Sequence, residues 1–172
     1  MNDPIEVADK GRIAAFSFEE MLKYHGPDYP GGVAHSFKVM QRAVPLLDPA
    51  GPAERRAIHI RTAFSGPGGR DGFELVTRAV SEGRFEVDPA LERPERGRTL
   101  ERYVFEFTYG PRKLTLTIRE GFVVDEFIEL ARRQDRTEAE EAHLTLLKQQ
   151  MTDRLLASPA PDVYEVLNPR RS

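Results

Sequence analysis

The stretch Tyr24-His25-Gly26-Pro27-Asp28-Tyr29-Pro30-Gly31-Gly32-Val33-Ala34-His35 carries two of the four histidines, a carboxylate, three glycines and two prolines in twelve residues. Imidazole changes charge near neutral pH, so His25 is a candidate general acid/base, with Asp28 three residues on as its partner. His25, Asp28 and His35 together form a nitrogen–oxygen donor set of the kind that suits zinc, iron or another divalent metal. The spacing His-x2-Asp-x6-His matches no strong metal motif. Tyr29 adds a phenol, which can act as an acid/base or a ligand but is a poor nucleophile at neutral pH. Each residue also has a plainer reading. His25 can cap a helix C-terminus, Asp28 can close an Asx-turn on its own backbone, His35 can be solvated, and Tyr29 can simply fill space.

A second glycine-rich turn, Ser65-Gly66-Pro67-Gly68-Gly69-Arg70, precedes a helical pattern. Its backbone N–H groups and the helix dipole could hold an anion, with Arg70 or Lys38 as a cationic clamp and Ser65 and Gly68 in the wall. Asp71 is either a helix-start carboxylate or a pocket acid. The turn lacks the Gly-x-x-x-x-Gly-Lys-Ser/Thr form of a phosphate loop, and an ordinary helix start is the competing reading.

Several elements must position these groups. Ser17 and Glu20 form a capping-box pair that opens a short helix over about 18–24, stopped by Gly26. Val33, Phe37, Met40, Val44 and Leu47 recur at intervals of three and four, predicting an amphipathic helix that Pro45 should kink or end early. Residues 57–64 alternate and predict a strand, with His59 a half-buried, hydrogen-bonded histidine. A helix over 70–81 follows, then a brief strand over 85–87 and an exposed loop over 88–99. Residues 102–109 and 113–119 alternate around Gly110-Pro111-Arg112, the clearest hairpin in the chain. Helical spacing returns from Val123, and Thr137 with Glu140 caps a last helix whose Leu144, Leu147, Met151 and Leu155 form an apolar seam. His143 lies in a charged run and reads as surface. The order predicts an α+β fold: a helix-strand-helix-strand core with a small mixed or antiparallel sheet, plus C-terminal helices. Residues 1–15 read as a loose lead-in, 16–166 as one domain and 167–172 as a tail, with Val163, Tyr164 and Val166 available to dock.

Composition narrows the function classes. The 172 residues are 40% hydrophobic and 31% charged with a net charge of −3, which suits a globular domain and gives no one-signed basic face for nucleic acid. No cysteine is present, which removes disulfides, thiolate catalysis and cysteine-ligated zinc or iron–sulfur clusters from consideration. No apolar run reaches the roughly 20 residues of a membrane span, and residues 1–10 do not resemble a signal peptide, so the expected location is cytoplasmic.

The segment Tyr24-His25-Gly26-Pro27-Asp28-Tyr29-Pro30-Gly31 resembles the aromatic-His-Gly-His-x-Cys-Pro-Gly signature of the FmdE-like family, which is named for a component of formylmethanofuran dehydrogenase. Phe37 and Lys38 resemble the aromatic-plus-basic pair that follows it. Arg70 to Thr77 is similar to a family segment written Cys-x-x-Asp-Ala-Ile-Gln and Leu-Thr-Gly. The likeness continues through Gly110–Leu116 and Leu155–Val166, covering about residues 16–166. It implies an α-β-α-β-β-β core, a homodimer, and chemistry through the signature His and Cys or a metal bound by them. Tyr29 stands where that signature has its cysteine and Pro27 where it has its second histidine. Gly68 and Ala79 occupy two further expected cysteine positions, so only His25 carries over. Two functions follow as expectations. One is an enzyme, divalent-metal-dependent in one version, acting on a small anionic molecule between the two glycine-rich turns. The other is a non-catalytic domain that binds a ligand or a partner subunit, with the 144–155 seam either as its assembly face or docked within its own monomer.

Overall fold

The structure, a computed structural model, describes residues 1–167. The expected α+β class is observed: six helices and two small sheets among the described residues. The first sheet is an antiparallel hairpin of β1 (Ile5–Asp9) and β2 (Arg12–Phe16). The second has the order β4-β3-β5-β6-β7, built from β3 (Ile58–Thr62), β4 (Phe85–Val87), β5 (Val104–Tyr109), β6 (Arg112–Ile118) and β7 (Tyr164–Leu167). Only the β3–β4 pair is parallel. It is joined by a helical crossover, α3 (Pro67–Thr77), as parallel neighbours require.

The hub is α2 (Pro30–Leu47). It packs on β5, β6 and β7 and also touches α1 (Phe18–His25), α3, α5 (Glu138–Leu156) and α6 (Ala160–Val163). Val33, Phe37, Met40, Val44 and Leu47 are buried as their spacing predicts, but so are Ala34, His35, Ser36, Lys38 and Val39. A helix hydrophobic on one stripe has become a helix enclosed on nearly all sides. Pro45 falls in its last turn, and the helix continues two residues past it to Leu47. Both predicted capping boxes are present, Ser17 with Glu20 and Thr137 with Glu140.

Strand β3 keeps the predicted alternation, whereas β5 is buried on both faces over Val104–Phe107 and β6 grades from exposed to buried along its length. Ile58, Ile60 and Thr62 face the core, while His59 is exposed rather than half-buried. The 110–111 turn joins β5 to β6, with Gly110 at a φ of +55°. Helix α3 begins at Pro67, three residues before the predicted start, because proline is well suited to a first helical position and Gly66 can serve as the N-cap. Val163 and Tyr164 dock into the core and Val166 packs against it. Residues 168–172 of the expected tail lie outside the described residues.

The run α2-β3-α3-β4-β5-β6 has the order that the family resemblance implies; an order of elements bears on fold and not on function. The first fifteen residues are not a loose lead-in. Ile5 and Val7 are buried, and the hairpin is tied down by Arg55, whose guanidinium reaches Asp9 at 3.4 Å. The same guanidinium donates to the carbonyls of Val76 and Leu75 at 2.9 and 2.5 Å, closing the C-terminal end of α3. Of the two places open to the 144–155 seam, the structure shows docking within the chain and not an assembly face. Leu144, Leu147, Met151 and Leu155 are all buried within the chain, against α2 and against α4 (Asp125–Arg132).

Helices α2 and α3 start with the same three residues, Pro-Gly-Gly, and cross at that point. A Cβ on Gly68 would stand 2.4 Å from the carbonyl oxygen of Tyr29 and 2.9 Å from the nitrogen of Val33. A Cβ on Gly32 would stand 3.1 Å from the nitrogen of Gly69. The contact is backbone on backbone, so no side chain can rotate to relieve an intruding methyl. Gly68→Ala should therefore cost about 1–3 kcal/mol, the range for forced overpacking. Urea unfolding of the variant measures it, and a loss under about 0.5 kcal/mol, typical of neutral surface changes, would show that the helices separate freely.

Candidate functional site

The crossing of α2 and α3 opens onto a cavity of about 330 Å³. Tyr29, Gly31 and Gly32 from the start of α2 and Gly66, Pro67 and Gly68 from the start of α3 form one wall. Neither helix has a side-chain cap: the N-cap residues are Tyr29 and Gly66, and neither side chain bonds the first turn. Backbone bonding resumes at Val33, whose N–H donates to Tyr29, and at Arg70, whose N–H donates to Gly66. Among the described residues the N–H groups of Gly31, Gly32, Gly68 and Gly69 therefore find no acceptor. Two positive helix ends converge on one space.

The floor is aromatic. Phe64 and Tyr103 stack at 5.2 Å with 29° between their planes, and His35 lies 4.7 Å from Tyr103. Tyr103 is buried, and its hydroxyl makes no hydrogen bond among the described residues. Burial pushes this phenol above its ordinary range, while Arg132 and Arg102 nearby pull the other way. The hydroxyl is therefore a protonated donor on a residue that lines the cavity. Across from it, Phe127 and Ile128 of α4 and Leu144 of α5 supply an apolar wall.

Every charged residue lining the cavity is a cation: Arg102, Arg132, Arg136 and Lys148. Burial first, and then the like charges of Arg102 and Arg98, lower the pKa of Arg132. Burial and Arg136 likewise lower that of Lys148. Lys148 stands 4.4 Å over the ring of Tyr29 and donates to the carbonyl of Asp28 at 3.2 Å. Arg136 donates to the carbonyls of Ala131 and Arg133 and is paired with Glu141. The carboxylates that pair with these cations, Glu92 at 3.3 Å from Arg102, Glu101 at 3.8 Å from Arg132 and Glu141 at 2.8 Å from Arg136, are not among the residues lining the cavity.

The residues singled out from the sequence fall into three groups. Tyr29, His35, Ser65 and Gly68 do line the cavity. His25 and Asp71 form a separate pair: the imidazole Nδ1 lies 2.7 Å from the Asp71 carboxylate, with the histidine side chain only 6% exposed. Asp71, not Asp28, is thus the partner of His25, because α1 packs along α3 and carries the end of the helix to that carboxylate. Lys38, Arg70 and Asp28 are not at the cavity. Lys38 is fully buried on another face of α2, donating to Asn2 Oδ1 at 2.8 Å and to the Met1 carbonyl at 3.2 Å, and burial pushes its pKa down to about 8. Arg70 and Asp28 are exposed. The expected His25–Asp28–His35 metal set is not assembled: among the described residues no group of three or more His, Asp or Glu side chains is placed to hold an ion. His143, read as surface, is exposed and pairs with Glu126.

No family model matches the chain, and no curated protein matches it. The reading of the site therefore rests on its geometry. That geometry includes residues the sequence reading missed, namely Tyr103, Arg102, Arg132, Arg136 and Lys148. One signal was available: Leu144, Lys148 and Met151 lie at i, i+4 and i+7, which puts a lysine within the apolar seam. Among the described helices none is long and apolar enough to cross a membrane.

His35 is the buried titratable group of the site. Its Nδ1 lies 2.8 Å from Tyr164 Oη and its Nε2 3.4 Å from Met151 Sδ. A thioether offers only lone pairs, so the proton belongs on Nε2 and the tyrosine O–H donates to Nδ1. Burial pushes the pKa down to about 3, so the ring is neutral at physiological pH. The folded pKa lies below the unfolded one. The stabilisation is thus complete above about pH 6.5 and is lost as pH falls from there toward 3, where the unfolded chain takes up a proton that the folded one refuses. Between pH 7 and 5 this single group should remove about 2 kcal/mol of stability. Urea unfolding at both values should show the wild type losing that much more than His35→Gln; equal losses would place the acid sensitivity elsewhere.

Proposed function

We propose that the protein binds a small anionic molecule in the cavity between the starts of α2 and α3 and the helices α4 and α5. One observation carries the reading: two uncapped helix N-termini open into a cavity lined by four cations and by no carboxylate. Unsatisfied buried N–H groups and crowded like charges each destabilise the unliganded chain, and an anion relieves both. The volume lies at the lower end of the roughly 300–1,000 Å³ typical of ligand sites, so a dinucleotide or an extended peptide does not fit the enclosed part. Anionic compounds should raise the melting temperature of the purified protein. The double charge reversal of Arg132 and Lys148 to Glu should weaken binding at least tenfold, about 1.4 kcal/mol, with the circular dichroism spectrum unchanged. Equal binding of anions and their neutral amides by the wild type would argue against the reading.

A second, catalytic reading is supported by the His25–Asp71 pair. With Nδ1–H donated to Asp71, the lone pair of Nε2 is left buried, with no partner among the described residues, as a general base would be before its substrate arrives. The ring stands 5.7 Å from Tyr29, which lines the cavity. Incubating a bound compound with the protein and following it by NMR tests this. Chemical conversion that disappears in His25→Gln while affinity persists favours an enzyme; a compound unchanged over many equivalents favours a binding protein.

A further inference from the structure

The chemistry around the cavity differs between its parts, and the difference specifies more than an anion. The starts of α2 and α3 line the cavity through Gly31, Gly32 and Gly68 and bring the free N–H groups of two helix N-termini to it. A group bound there can approach as closely as a hydrogen bond allows, which favours a compact oxyanion. Tyr103 contributes the independent element of a built site. It is only 3% exposed, lines the same cavity, and its hydroxyl has no partner among the described residues. A phenol held protonated by burial can only gain by donating, and an oxyanion is the acceptor it is suited to.

Next to this donor set the surfaces are flat rather than merely apolar. Phe64 and Tyr103 are nearly parallel, Tyr103 continues to the neutral ring of His35, and Phe127 closes the opposite side. The partly exposed rings of Phe64 and Phe127 accept another ring in offset or edge contact, gaining about 0.5–1.5 kcal/mol beyond area burial. An alkyl chain would lose that increment. The cavity's size admits a body of about one ring beside the anionic head.

We infer that the ligand is an aryl oxyanion: a single aromatic ring bearing a carboxylate or a phosphate ester, with the head at the glycine N–H groups and Tyr103 Oη and the ring against Phe64 and Phe127. This rests on the anion-binding reading above and narrows it. A carboxylate and a phosphate share the head-group chemistry, and the two are separated by the compounds tested.

The experiment is a calorimetric titration of the full chain with benzoate, phenylacetate, phenyl phosphate, cyclohexanecarboxylate, benzamide and inorganic phosphate. The aryl oxyanions should bind at least fivefold tighter than cyclohexanecarboxylate and inorganic phosphate, and benzamide should not bind measurably. Whichever of the carboxylates or phenyl phosphate binds tighter identifies the head group. Tyr103→Phe should cost about tenfold in affinity for the aryl oxyanions. Ala131→Phe, at an exposed position of α4 that lines the cavity, should exclude them by filling the space while leaving the fold intact. If cyclohexanecarboxylate or inorganic phosphate binds as tightly as the aryl compounds, the aryl assignment is overturned and the anion reading stands. If none of the six binds to protein shown free of a retained ligand by native mass spectrometry, both are overturned.

Discussion

The backbone contact between Gly32 on α2 and Gly68 on α3 is the constraint on which the rest of the site depends. Two helices ordinarily keep their axes about 8–10 Å apart because side chains stand between them. Here a methyl group would come within 2.4 Å of a carbonyl oxygen, so only glycine permits the approach. Each Pro-Gly-Gly start has a second effect. Proline fixes the first helical φ without offering a donor, and the two glycines leave their N–H groups uncovered. The residues that bring the helices together are therefore the ones that make the junction electropositive.

That junction is held open by the remainder of the chain. Helix α2 is buried on nearly all sides, so its start cannot swing away, and α3 is fixed at its other end by Arg55 bonding the carbonyls of Leu75 and Val76. Helices α4 and α5 close the space from the opposite side. They contribute Phe127 and Leu144, and they bring Arg132, Arg136 and Lys148 to face two positive helix ends. Like charges gathered around unpaired N–H groups oppose folding unless something negative completes them. Glu92, Glu101 and Glu141 supply part of that compensation without lining the cavity, which leaves its lining positive.

The legible part of the sequence was its local chemistry. Capping boxes, the alternation of β3, the pairing of the β5–β6 hairpin and the spacing on α2 depend on neighbours within a turn or a strand, and all appear where the residues put them. The β1–β2 hairpin was missed because its burial depends on Arg55, more than forty residues away. His59 and His35 exchanged their expected environments for the same reason. Strand β3 leaves one face open, while α2 is covered by the tail strand that brings Tyr164 to His35. The anion-binding potential of the 65–70 turn was visible, but its clamp was not. Arg70 follows the turn in sequence and points to solvent, whereas the lining cations come from the far end of the chain.

The opening turn illustrates how residue types can mislead about where chemistry resides. Its histidine drew attention first, yet His25 turns to Asp71, while the backbone of Gly31 and Gly32 reaches the cavity. Tyr29, standing where a resembling signature has cysteine, lies at the rim with Lys148 over its ring. A cation held on a π-face keeps the phenol in place and adds positive potential there; it makes the residue a recognition element, not a nucleophile. An anion bound as proposed would meet at this turn an aromatic ring, a nearby positive charge and the amides of a helix start.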